Sequence, residues 1–326
     1  MRNLFGKYLG ISLLLTAFAF AGCRMDDDSS YEIRTYSSFF LVQKPNGLRS
    51  IYRYQQDFHQ LDSAWNLKAN VPDAQLSDAS MVDNRIWIAS EPQNAILQVN
   101  PAYGSVQEKF SNLPLAPHYI AIGDKQILIS DTAAGKVAFL KLRNGDVQEI
   151  QFEGKPGMCI YNSGKFYLQV NDSLVSIYDE SALTTRATVS IGLRITSLVL
   201  NRYRAIIAMS ADSMGTYQAL ITHSADYLAG NYAVLFSKFV PTPYFSKRFG
   251  TEYLADLEIL DGNLINDSLI VLADSIADFE ADFFEGTLFY TRGGDLVVKS
   301  ISGLQRIDSL AFEGRFIKSF HQYAAD

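Results

Sequence analysis

Four histidines are spread over the 326 residues, at His59, His118, His223 and His321, and no two stand at metal-ligand spacing. The chain has no HExxH, GxSxG, GxGxxG, phosphate-binding Walker loop or CxxC. What remains for chemistry is a set of polar residues at similar offsets: Glu91, Asp131 and Asn171, with His118 between the first two. A histidine among carboxylates can hold a polar ligand or move a proton. Arg194 adds a cation, and the stretch VPTPYFSKRFGTEY from Val240 adds Tyr244, Phe245 and Arg248. Aromatics beside a cation make good contact surface. The run Asp274–Glu285 sets five carboxylates among three phenylalanines without the spacing of an EF-type calcium loop, and reads as a solvated rim. No catalytic residue, metal or cofactor is assigned.

Those offsets come from a repeat. RIWIASEPQNAILQVNPAYGSVQEKF, from Arg85, aligns with QILISDTAAGKVAFLKLRNGDVQEIQF, from Gln126, so that Val106-Gln107-Glu108 returns as Val147-Gln148-Glu149. A third copy starts at Lys165. Each unit reads as four short strands: an opening strand (DASMV at Asp78, HYIAI at His118, GMCIY at Gly157), a turn, a β-rich second strand, an alternating third and an outer fourth. A period near 40 made of short strands is the signature of a β-propeller blade. The class is therefore all-β, with residues 34–326 as one propeller domain. Second-strand cores fall at Phe39–Val42, Ile86–Ile88, Ile127–Ile129, Phe166–Leu168, Ala205–Ala208, Leu269–Leu272 and Leu288–Tyr290. That predicts seven blades, with six or eight also open because the spacing becomes irregular after Ala205. The run Arg315–Tyr323 is expected to pair with N-terminal strands and remove the exposed edges.

The units resemble YVTN-type and NHL-type repeat propellers. The carrying stretches are APHYIAIGDKQILISDTAAGKVAFLKL at Ala116 and KPGMCIYNSGKFYLQVNDSLVSIYD at Lys155. The resemblance is clear over residues 75–193, and departs from the usual pattern at Ser90-Glu91 and Val170-Asn171. Propeller lactonases hold a metal on channel Glu, Asn and Asp side chains, so the resemblance also implies, as an alternative, a metal-dependent lactonase or lyase. A protein–protein scaffold is a further alternative.

The N-terminus supplies an address. Arg2 and Lys7 precede a run of 14 residues, Tyr8 to Ala21, that is almost wholly apolar. This is a secretory signal, too short for the roughly 20 apolar residues of a membrane span. Phe20-Ala21-Gly22-Cys23 looks like a bacterial lipobox, which predicts a signal peptide over 1–22, lipidation of Cys23 and a flexible acidic tether over 23–33. Asp26-Asp27-Asp28 resembles the acidic export tag of surface lipoproteins in nutrient-scavenging Gram-negative bacteria. The expected location is the outer membrane, facing the cell exterior, with the periplasmic face as the alternative. Beyond Cys23 the only cysteine is Cys159, a small residue in an apolar run. Net charge is −7, and the signal's two cations leave the remainder more acidic still, which argues against nucleic acid. The expectation is a binding module that captures a small-molecule ligand or partners an outer-membrane transporter. Surface lipoproteins of this fold include cobamide-capturing partners of TonB-dependent transporters.

Overall fold

The computed structural model describes residues 37–200, 206–211, 215–223, 232–241, 279–282, 287–300 and 305–322. Among them stand 24 strands in six antiparallel sheets of four. β1 (Ser37–Gln43), β2 (Arg49–Gln55) and β3 (Gln60–Asp62) open the first sheet. The second holds β4 (Asp78–Val82), β5 (Arg85–Ser90), β6 (Ala95–Val99) and β7 (Val106–Phe110). The third holds β8 (Tyr119–Ile122), β9 (Gln126–Asp131), β10 (Lys136–Lys141) and β11 (Val147–Ile150). The fourth is β12 (Pro156–Asn162), β13 (Lys165–Val170), β14 (Leu174–Asp179) and β15 (Thr185–Ser190). The fifth is β16 (Ile195–Leu200), β17 (Ile206–Ala211), β18 (Gly215–His223) and β19 (Tyr232–Pro241). The sixth is β20 (Phe279–Asp282), β21 (Thr287–Arg292), β22 (Asp295–Ser300) and β23 (Arg306–Ala311). The last strand, β24 (Arg315–Gln322), returns to β1 and completes the first sheet in the order β24-β1-β2-β3. The C-terminal run thus pairs where the sequence placed it.

Six of the seven second-strand cores fall on the second strand of a sheet: β1, β5, β9, β13, β17 and β21. The seventh, Leu269–Leu272, lies outside the described residues. Tight turns keep the strands in step. Asp83-Asn84 and Ser163-Gly164 both take positive φ at the two turn positions, as a two-residue hairpin requires.

The middle strands of the first four sheets are buried on both faces because each of those sheets is packed between two others. In β5, Ile86 and Ile88 join Phe39, Leu41 and Ile51 of the first sheet, whereas Trp87 and Ala89 turn to Ile127 and Ile129 of the third. In β9, Leu128 points the other way, to Phe166 and Leu168 of the fourth sheet. The fourth sheet meets the fifth through Tyr167, Ile177 and Ile195, and the sixth meets the first through Phe289, Leu296, Phe40 and Tyr54. A strand covered on both faces reads as an unbroken apolar run. The outer strand β7 is exposed along most of its length and carries Glu108 and Lys109, charges that discourage edge pairing.

The innermost strands differ. β12 and β24 are half-buried over most of their length. They stand side by side in the order β20, β24, β4, β8, β12, β16. Several four-stranded sheets with their first strands in one consecutive line are consistent with a β-propeller.

Candidate functional site

His118 sits immediately before β8, its backbone N–H donating to the carbonyls of Ala116 and Ser130, both at 3.0 Å. The segment is tied to the second sheet, because Ser77 Oγ donates to the Pro117 carbonyl at 2.5 Å. The ring lies between two carboxylates from successive sheets. Glu91 Oε1, in the turn after β5, is 3.1 Å from Nε2. Asp131 Oδ1, at the end of β9, is 3.4 Å from Nδ1. The second pair is within ion-pairing reach but out of line for a hydrogen bond, and Nδ1 is buried without one.

Asp131 is held firmly. Its side chain is 6 % exposed, Oδ2 accepts the Ala116 N–H at 3.0 Å and Oδ1 accepts the Ala134 N–H at 2.8 Å. It closes the turn after β9 and fixes the loop that presents His118. Glu91 is 44 % exposed and forms the solvent-facing side of the cluster. Three flanking hydroxyls, Ser90 Oγ, Ser130 Oγ and Thr132 Oγ1, are also buried without a hydrogen-bond partner. Buried polar atoms left unpaired are rare in folded proteins and call for an explanation such as water or a ligand.

The repeat thus brings His118, Glu91 and Asp131 together, but not the other candidates. Asn171 Oδ1 accepts the Lys155 N–H at 2.8 Å, its own N–H donates to the Lys155 carbonyl at 2.7 Å, and its φ is 53°. Its side-chain oxygen and backbone N–H brace a loop. Arg194 is exposed in the turn before β16. Tyr244, Phe245, Arg248 and Cys23 lie outside the described residues.

A second polar set, not singled out from sequence, joins the innermost strands to one another. Asp78, 4 % exposed at the start of β4, takes Lys318 of β24 at 2.6 Å on Oδ1 and the Ile120 N–H of β8 at 3.0 Å on Oδ2. On the other flank of β24, Ser319 Oγ donates to Glu280 Oε2 of β20 at 2.8 Å. His321 Nδ1 lies 3.3 Å from Asp282 Oδ2 and 3.0 Å from Ser38 Oγ, with its ring stacked on Phe289. Burial holds this imidazole below its ordinary value, although Asp282 and Glu280 pull the other way. Burial, reinforced by Asp78, pushes the Cys159 thiol up, so it is no activated nucleophile. The opening DASMV run did carry the signal: an acid at the first position of an otherwise uncharged strand.

Further out, Glu180 binds the third sheet to the fourth. Its Oε1 accepts the N–H groups of Lys125 and Gln126 at 2.8 and 3.2 Å, and Oε2 accepts the Tyr161 hydroxyl at 2.9 Å. No set of three His, Cys, Asp or Glu among the described residues is placed to hold a metal ion.

No family model and no curated protein matches the chain. Solved structures with a similar arrangement include hydrazine synthase of Kuenenia stuttgartiensis, at TM-score 0.46 and 10 % identity over 70 % of this chain and 77 % of that one. Others are a nidogen/laminin complex, at 0.44 and 12 % over 85 % and 93 %, and the computationally designed Ika8 protein, at 0.47 and 11 % over 86 % and 89 %. Likenesses this remote carry no argument about what the chain does.

Proposed function

We propose that the chain is a lipid-anchored, surface-displayed β-propeller, seven-bladed and of YVTN/NHL type, that captures a small-molecule ligand or docks on an outer-membrane transporter. The observation that carries the binding reading is the His118 cluster. Two successive sheets aim carboxylates at both ring nitrogens, with one carboxylate rigid and the other open to solvent. A catalytic base needs a free nitrogen facing its substrate. Here both nitrogens already face carboxylates, an arrangement suited to holding a polar group at the end of a row of strands.

Cyanocobalamin is the probe, being the ligand class that the lipoprotein resemblance implies. Titration of the full chain is expected to show binding that His118→Ala weakens about 5- to 150-fold, the equivalent of about 1–3 kcal/mol. The melting temperature should hardly move, since the group lies in rim loops. A large loss of stability with unchanged affinity would make His118 a structural residue and send the search elsewhere.

The anchor is tested in cells fed a fatty-acid analogue, which is expected to label the wild type and not Cys23→Ser. Equal labelling of both removes the lipoprotein reading. Replacing Asp26, Asp27 and Asp28 by alanine is expected to reduce cleavage by added protease without changing the amount of acylated protein. Unchanged cleavage reduces the acidic run to a tether.

A further inference from the structure

The sixth sheet has two faces with different fates. Phe289, Leu296 and Val298 point into the core shared with the first sheet. The residues that alternate with them point the opposite way, around a cavity of about 440 Å³. Its described lining comes from three strands and a turn: Tyr290 and Arg292 of β21, Gly293, Asp295 and Lys299 of β22, Arg306 and Ser309 of β23, with Val297 between. Register places them together. Tyr290 stands opposite Val297, Val297 opposite Ser309, and Lys299 opposite Arg306 across a bulge.

The charges in this cavity are unbalanced. Arg292, Lys299 and Arg306 contribute three cations and Asp295 one carboxylate. Arg292 is directly opposite Asp295 in the hairpin, yet none of the three cations is ion-paired among the described residues. Asp295 instead accepts a hydrogen bond from Ser309 Oγ at 3.2 Å. Lys299 Nζ lies 5.7 Å from the centroid of the Tyr290 ring, and Tyr290 is only 2 % exposed, so the ring forms a buried floor under a cation. Three like charges with a single carboxylate among them leave this face net positive on an acidic chain, which favours an anionic partner. Arg292 and Arg306 are exposed and Lys299 is half-buried, and all three line one concavity of a size that suits a small ligand.

We propose that this cavity binds a small polyanion, a molecule with two or more phosphate or sulfate groups. Arg292 and Arg306 present planar forks that match such groups, and Lys299 adds a point charge above the tyrosine ring. At Gly293 the turn runs at φ 60° with open space where a Cβ would be, which leaves the backbone accessible beside the anion. The site shares no residue with the His118 cluster and does not depend on it.

Calorimetric titration of the full chain tests the proposal with inorganic pyrophosphate in one arm and a disulfated disaccharide in the other. The stronger arm identifies the phosphate or the sulfate source. Binding is expected to weaken steeply as salt rises, because partly exposed charges are screened. Arg292→Ala with Arg306→Ala is expected to lower affinity at least about tenfold, as loss of charge-assisted contacts does. Asp295→Asn is expected to tighten binding, since it removes only the repelling charge. Circular dichroism identical to wild type shows that the variants fold. Absence of heat with both probes at millimolar concentration overturns the proposal, as does an arginine double variant that binds like wild type.

Discussion

A chain that ends at Gly314 is expected to lose its cooperative unfolding transition. The deletion removes β24, which is paired with β1 from Ser37 to Gln43. It also removes Phe316 and Phe320, 2 % and 8 % exposed, from two different cores. Phe320 stacks on Phe39, and Phe316 packs on Phe40 and Phe312. Loss of one buried phenylalanine costs about 3–5 kcal/mol, against a total stability of about 5–15 kcal/mol for a whole domain. The same cut strands Asp78 without Lys318, and Glu280 and Asp282 without Ser319 and His321. Thermal and urea melts followed by circular dichroism provide the measurement. A truncated chain that melts cooperatively at the wild-type temperature would show that β24 is an accessory strand. The single change Phe320→Ala is the graded form of the test, expected to cost about 3–5 kcal/mol while leaving the transition cooperative.

Glu180→Ala is expected to destabilise the protein by about 3 kcal/mol, read from the urea midpoint at constant slope. Glu180 is 6 % exposed and bridges two sheets that also share an apolar core. Its removal leaves the N–H groups of Lys125 and Gln126 without their carboxylate acceptor and the hydroxyl of Tyr161 with Asp124 alone. Burial, with Glu180 and Asp124 accepting from it, pushes the Tyr161 hydroxyl well above its ordinary value, so that group stays a donor at any ordinary pH. Glu180→Gln keeps a carbonyl oxygen for the two backbone donors and is expected to cost only about 1 kcal/mol. Equal losses for the two variants would mean that the carboxylate's charge, not its geometry, holds the sheets together. Gly123 is constrained from the same side, since a Cβ there would stand 2.5 Å from Glu180 Oε1 and 2.7 Å from the Phe166 ring.

The repeat was legible because the second and third strands are sandwiched. Ile86-Trp87-Ile88 and Ile127-Leu128-Ile129 had to be apolar at every position, whichever core each side chain faces. The His118 cluster was legible for the same reason: a constant offset returns each turn to the same end of its sheet. Asn171 shares the offset but not the environment, because the loop at Gly154 and Lys155 folds onto it. The pairing of β24 with β1 was legible, but the polar partners of Asp78, Glu180 and the side chains of β24 were not. Their partners are fixed by how one sheet is aligned on the next, and no local periodicity encodes that. The cationic cavity was hidden by a bulge between Val298 and Lys299, which brings Arg306 into line with residues whose spacing gives no hint of it.

The pairing of β1 with β24 also sets an order of events during synthesis. β1, at Ser37–Gln43, leaves the ribosome long before its inner neighbour β24, at Arg315–Gln322. At roughly 5–20 residues per second, a chain of this length spends on the order of half a minute with that flank of β1 unpaired. An uncovered strand edge invites pairing with any other chain nearby. The newborn protein therefore depends on being kept from premature association until β24 arrives. A polypeptide that cannot finish its first sheet early stays loose for longer, with Phe39 and Phe40 waiting for the rings of β24 to cover them.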